Sequence, residues 1–247
     1  MTAPASFETA DDNLAQMLDS LSGADNYLDL IVQLLDSHLQ APILEVGAGH
    51  GDLTERLAHT GPVHATDLSE RCLRILSDKF QTDESITVGS LDITTPFPST
   101  DEYADGTYGS TVMVNVLEHI EDDVDALRLL AKTVTPGGTV VVFVPAFDFL
   151  YGKFDEQIGH HRRYRVASLR STFEQAGLEP VDLRYVNLPG WFAWLLTVKL
   201  LGLQPTGGAL VKMYDSVVIP IVRAIETRWR PPFGQSVIGV ARVPRNG

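Results

Sequence analysis

Three histidines stand where the chemistry of this chain concentrates. His119 lies in Val116-Leu117-Glu118-His119-Ile120, and His160 and His161 lie in the polar, aromatic run from Pro145 to Tyr164. An imidazole changes charge near neutrality, so it can take a proton from an alcohol as that alcohol attacks an electrophile. Each of the three has a structural alternative, as a ring that anchors its own loop. The same run carries Tyr151, Asp155, Arg162, Arg163 and Tyr164. These groups suit an acceptor with several hydroxyls, and they suit equally an ion-pair network that holds the loop shut. No carboxylate and histidine have the spacing of metal ligands along the chain, so no metal is expected.

A second site-forming stretch is Ile43-Leu44-Glu45-Val46-Gly47-Ala48-Gly49-His50-Gly51, followed at once by an amphipathic run with Leu53, Leu57 and Ala58 on one face. This reads as a buried strand, a tight turn and a helix. The glycines leave no side chain between the peptide N–H groups and a ligand. Glu45 would repel a pyrophosphate and attract an ammonium group. The dinucleotide fingerprint fails at its sixth position, which is Asp52, and no Gly-Lys-Ser/Thr follows as a P-loop requires. By itself the turn is either a cofactor loop or a structural one. Asp67 ends the next strand twenty positions after Gly47, where a doubly wound fold puts the carboxylate that holds ribose hydroxyls. Its alternative is a cap for the helix that begins near Ser69 and buries Leu73, Leu76 and Phe80.

The elements that must position these groups alternate along the chain. Strands are expected at 62–66, 86–88, 111–115, 139–144, 181–188 and 236–243, besides the one ending at Val46. Helices are expected at 7–21, at 28–39, through Val124, Leu127, Leu130 and Val134 to a stop at Pro136-Gly137-Gly138, and at 168–176. Thr139 to Val144 shows no polar alternation, which places it inside a parallel sheet covered on both faces. The pattern predicts one α/β domain over 1–247, a doubly wound Rossmann-like sheet. Its parts are an N-terminal helical cap at 1–41, a cofactor-binding core at 43–188, a helical insertion at 189–233 and a last strand at 234–247.

Glu45-x-Gly47-x-Gly49-x-Gly51, with Asn115-Val116-Leu117-Glu118-His119 after the fourth strand, resembles the class I S-adenosylmethionine-dependent methyltransferases. The resemblance implies a seven-stranded sheet whose last strand is an antiparallel edge strand, and S-adenosyl-L-methionine as cofactor. It places Glu45, Gly47, Gly49, Gly51, Asp67 and Leu68 around the cofactor, Asp92 at the adenine amino group, Ile93 on the ring, Asn115 and Val116 at the methionine part, and Tyr27 near it. Leu150-Tyr151-Gly152, Asp155-Glu156, Gly159-His160 and Arg162-Arg163-Tyr164 resemble a subfamily associated with sugars and surface glycans. That subfamily keeps a histidine at the position of His160 and varies at that of His161, which makes His160 the first choice of base. The implied activity is methyl transfer to a hydroxyl of a small polar acceptor, a sugar or oligosaccharide. A carboxylate or amine acceptor, a cofactor-binding protein without catalysis and a nicotinamide oxidoreductase are the alternatives; Asp52 speaks against the last.

The formal net charge is −13, which argues against a nucleic-acid partner. A single cysteine, Cys72, leaves no disulfide framework or thiolate zinc site, and fits a reducing cytoplasm. Met1 to Asp12 lacks the basic start and apolar core of a signal peptide. Trp191 to Leu201 is apolar but interrupted by Lys199, too short to span a membrane. With Val217 to Ile225 it reads as a helical pair that roofs the acceptor pocket, meets a second copy or rests on a membrane surface.

Overall fold

The computed structural model describes residues 24–97, 103–202 and 209–245. The expected helix at 7–21 and the N-terminal stretch lie outside these residues. In chain order the described elements are α1 (Asp25–Leu35), β1 (Ile43–Val46), α2 (Asp52–Leu57), β2 (Val63–Asp67), α3 (Glu70–Phe80), β3 (Ile86–Ser90), β4 (Tyr108–Val114), α4 (Asp123–Thr133) and β5 (Val134–Pro145). After them come α5 (Lys153–Gln157), α6 (Val166–Gln175), β6 (Glu179–Val186), α7 (Leu188–Trp194), α8 (Ala209–Met213), α9 (Ile219–Glu226) and β7 (Ser236–Arg242).

The seven strands form one sheet in the order β3-β2-β1-β4-β5-β7-β6. Strands β1 to β5 are parallel, and β7 is antiparallel to both its neighbours. Successive residues of a strand face opposite sides, so alternate side chains divide between two core layers. Leu44, Met113, Val140 and Val142 meet Leu127 and Leu130 of α4 and Leu169 and Phe173 of α6. Ile43, Val112, Val141 and Phe143 meet α1, Leu57 of α2 and Leu76 of α3 on the other face. That double cover is why Thr139–Val144 reads as an unbroken apolar run.

Two expectations need correction. The last strand is antiparallel but does not lie at the edge: β7 is inserted between β5 and β6, and β6 is the edge strand. Burial fits this order, since Ser236 to Ala241 are all buried whereas β6 leaves Glu179 and Val181 exposed. Gly239 lets α6 lie close on β7, because a Cβ there would stand 2.6 Å from Leu169 and 2.7 Å from Phe173. Secondly, Pro136-Gly137-Gly138 does not stop a helix. Helix α4 ends at Thr133, and Val134 already pairs with Tyr108 as the start of β5.

The insertion consists of α7, which continues as a π-helical segment to Leu200, and of α8 and α9 joined through a second π-helical segment, Tyr214–Val218. Two buried carboxylates tie it to the core. Asp215 accepts from the backbone N–H of Asn26 (3.2 Å) and Tyr27 (2.9 Å), satisfying the first turn of α1 from outside. Glu226 accepts from the N–H groups of Asn187 (2.7 Å) and Leu188 (2.9 Å), doing the same for α7. Among the described residues no helix is long and apolar enough to cross a membrane.

Candidate active site

The glycine turn is built by backbone hydrogen bonds to the end of β2. Gly47 and Ala48 donate to the Thr66 carbonyl at 2.8 and 2.9 Å. Gly49 N–H donates to Asp67 Oδ2 and Ser69 N–H to Asp67 Oδ1, each at 2.9 Å. Asp67 thus orders the turn with one lone pair per oxygen, and its half-buried carboxylate keeps the others at the rim. The capping alternative falls to Ser69, whose side chain accepts from Cys72 N–H at the start of α3.

All three glycines have positive φ, and two also allow a close approach. A Cβ on Gly47 would meet Val116 Cγ2 at 2.4 Å, so the absence of a side chain lets the turn lie against the end of β4. A Cβ on Gly51 would meet the Phe80 ring at 2.6 Å, so this glycine packs α2 on α3.

Glu45 points inward, 2 % exposed, with Thr54 Oγ1 donating to it at 2.6 Å. Burial pushes its pKa up to about 7, against the Thr54 hydrogen bond and Lys79, while Asp67 adds to the rise. Leu68 is exposed beside Asp67. Ile93 is packed in the core, and Asp92 accepts from the N–H and hydroxyl of Thr94 in its own turn. Tyr27 lays its ring edge-on to Phe143 at 6.0 Å; burial, opposed by a hydrogen bond to Ser236, raises its hydroxyl to about 12. That hydroxyl is turned into the protein. Asn115, with φ 55°, bends the chain at the end of β4 and donates its N–H to the Phe143 carbonyl. A non-glycine residue held in this region marks a strained strand end of the kind found at functional sites.

The loop after β5 is held from within. Arg163 is buried and grips Asp155 with two bonds, 2.7 and 3.1 Å, while its guanidinium stacks 4.7 Å from the Trp194 ring. Asp155 also accepts from Gly152 N–H (3.0 Å) and pairs with His160 Nδ1 (2.8 Å). Burial opposes the charge of Asp155, yet the hydrogen bonds from His160 and Arg163 hold its carboxyl below the usual range. Tyr164 donates to Asp123 Oδ2 at 2.8 Å, Arg162 pairs with the same oxygen at 3.0 Å, and Tyr151 donates to the His160 carbonyl at 2.8 Å. The polar groups expected to bind an acceptor thus each have a partner within the protein, as in the ion-pair alternative.

The imidazoles separate. His161 is exposed, with its N–H donating to the Glu118 carbonyl. His119 and His160 meet edge to face, ring centroids 4.6 Å apart. Burial, with His160 close by, drives the His119 pKa down to about 4, against a backbone hydrogen bond to Gly159. Glu118 completes the group: its carboxylate is fully buried, and Oε1 lies 3.7 Å from His160 Nε2. Burial raises its pKa to about 8, which Arg163 counters and Asp155 reinforces. One ligand atom from each of Glu118, His119 and His160 lies within 4.8 Å of the others. No metal-ligand spacing was visible along the chain because the members come from two loops, after β4 and after β5.

Helix α7 closes over this region, with Trp191 5.9 Å from Phe149 and Trp194 5.5 Å from Phe154. The indole Nε1 atoms of Trp191 and Trp194 are buried without a partner. Glu118 stood in the motif after β4 without a role of its own, Trp191 and Trp194 stood in the segment read as a roof, and the anchors Asn187, Asp215 and Glu226 were not singled out. A buried acid within an apolar strand-end motif was the one signal available for Glu118.

Among curated proteins the chain is 26 % identical over 168 residues to the ubiquinone biosynthesis O-methyltransferase of Ralstonia nicotianae, covering 61 % of this chain and 69 % of that one. It is 30 % identical over 178 residues to the ubiquinone/menaquinone biosynthesis C-methyltransferase of Burkholderia multivorans, covering 60 % and 70 %. Its fold matches the methyltransferase solved in complex with the Haloferax volcanii Trm112 methyltransferase activator, with a TM-score of 0.62, 16 % identity and 96 % coverage of both chains. A family model described as a methyltransferase domain matches residues 11–183, and with the glycine turn, Asp67 and the strained end of β4 in place, the chain belongs to that family as an S-adenosylmethionine-dependent methyltransferase.

Proposed function

We propose that the protein transfers the methyl group to a hydroxyl oxygen of a small polar acceptor of the carbohydrate class. The observation that carries the oxygen assignment is the Asp155–His160 pair, 2.8 Å apart, beyond the carboxyl ends of β4 and β5. An alcohol must lose a proton as it attacks, and a carboxylate behind an imidazole fixes the tautomer that leaves Nε2 able to accept one. His160 is the leading member of the group, with Glu118 and His119 beside it. S-adenosylmethionine, when bound, supplies an electrophilic methyl on its sulfonium centre.

The carbohydrate class is supported by the Tyr151 to Tyr164 motif and by the roof. The exposed rings of Phe149 and Phe192, which pack against Trp191, suit the C–H face of a sugar ring. The test is transfer of labelled methyl to a panel of sugars, phenols, carboxylic acids and amines. Label in an ether of a sugar is the expected result; label only in an ester, an N-methyl or a C-methyl product would overturn the proposal.

A further inference from the structure

Glu118, His119 and His160 form a group that the protein alone leaves chemically incomplete. Both carboxylate oxygens of Glu118 and the Nε2 atom of His119 are buried without a hydrogen-bond partner. A buried acceptor left unmade costs about 1–3 kcal/mol, and more where it is charged, so three in one place call for a ligand that satisfies them together.

The second atoms of the two rings say what that ligand is. His160 Nδ1 is taken by Asp155 at 2.8 Å, which leaves Nε2 directed at Glu118 Oε1, 3.7 Å away. His119 turns Nδ1 toward the backbone at Gly159, 3.8 Å from where a Cβ there would stand, and leaves Nε2 unpartnered. Each imidazole is therefore held through one nitrogen while presenting the other, the arrangement in which metal-ligating histidines are held by a carboxylate or a backbone group. Asp155 is itself fixed by Arg163 and by Gly152 N–H. Arg163 neutralises Asp155, and the buried Glu118 carboxyl is the group whose ionisation a dication would favour.

We propose that Glu118, His119 and His160 bind one divalent transition-metal ion, zinc or a first-row ion of similar size. Two nitrogens and one oxygen are a borderline donor set, better matched to zinc, cobalt, iron or manganese than to magnesium, which prefers oxygen alone. With bonds of about 2.0–2.1 Å, tetrahedral ligands stand roughly 3.4 Å apart. The Glu118–His160 pair is close to that already, and the group as a whole, within 4.8 Å, needs a contraction that side-chain rotation supplies. Three protein ligands leave a fourth position open. For catalysis the inference rests on the hydroxyl acceptor proposed above. In the ion-loaded protein His160 would be a ligand and the proton of an acceptor oxygen on the ion would pass to solvent, the S–C bond breaking as the C–O bond forms; in the ion-free protein His160 keeps the base role proposed above.

The test uses the whole protein freed of metal by chelation and dialysis, titrated with Co2+ and followed by visible d–d absorption, with Zn2+ and Mg2+ as competitors. The expected result is one Co2+ per chain, displaced by Zn2+ and not by Mg2+. Glu118→Gln, close in shape, and His119→Ala should each weaken binding at least tenfold. Asp155→Asn, which acts through His160, should weaken it about 10–100-fold, and His161→Ala should leave it unchanged. No stoichiometric Co2+ in the parent protein, or equal binding by Glu118→Gln, would overturn the site. S-adenosylhomocysteine titration and product analysis of the same preparation keep the two proposals apart: ion binding without hydroxyl methylation sinks the O-transfer reading alone, and hydroxyl methylation without ion binding sinks the metal site alone.

Discussion

Gly47 and Val116, from the turns after β1 and β4, are in contact that admits no side chain at position 47: a Cβ there would lie 2.4 Å from Val116 Cγ2. Gly47 also has φ 74°, a conformation unfavourable for alanine. Gly47→Ala should therefore weaken S-adenosylhomocysteine binding at least tenfold by calorimetry and lower the melting temperature. Adding Val116→Ala should recover part of both losses, because it removes the contact but not the strain in φ. Equal behaviour of the single and double variants would mean that the contact is not what excludes a side chain.

Asp67 accepts from Gly49 and Ser69 with one bond per oxygen. If the remaining lone pairs hold ribose hydroxyls, Asp67→Ala should cost about 1.5–3 kcal/mol of cofactor binding, roughly ten- to a hundredfold in affinity. Asp67→Asn, which keeps one acceptor, should fall between. Unchanged affinity in both variants removes the ribose assignment and leaves Asp67 as a brace for the turn.

His160→Ala should lower turnover by about a hundredfold or more while leaving S-adenosylhomocysteine affinity intact. Measured beside it, His161→Ala should be nearly silent, since that ring is exposed and outside the buried group. If the two variants behave alike, the proton leaves by another route.

Glu45 carries a pH dependence whose sign follows from its burial. Its pKa in the fold is raised to about 7. The unfolded chain has its ordinary value near 4.3. Its contribution to stability is therefore fully present below about pH 4 and is lost as pH rises through about 7. Glu45→Gln keeps an acceptor for Thr54 and cannot ionise. The melting temperature of this variant relative to the parent should climb between about pH 4 and pH 8, by roughly 2–4 °C per kcal/mol. A difference independent of pH would place the carboxylate in contact with water.

How much of this was legible beforehand depended on range. The βα alternation, the buried run at Thr139–Val144 and the glycine turn are readable because backbone sterics and solvent exclusion act on neighbours in the chain. The edge position expected for the last strand was lost because strand order rests on pairing between distant segments: β7 is bonded to β5 on one side and to β6 on the other. The polar groups from Tyr151 to Tyr164 were legible as a cluster for an acceptor or for an internal network, but not which partner each one takes. Asp155 can serve Arg163 and His160 at once only after the loop folds back on itself.

The sequence by itself determined the fold class and the glycine turn, since both rest on local periodicity or on residues a few places apart, and its motifs carried the resemblance to the family. Only the tertiary structure decided that Glu118, His119 and His160 meet, that Asp215 and Glu226 tie the insertion to the core, and that Arg162, Arg163 and Tyr164 are struts. The physical reason is that buried charge must find its partners across space. Which partners those are is set by the crossing of loops from separate strands.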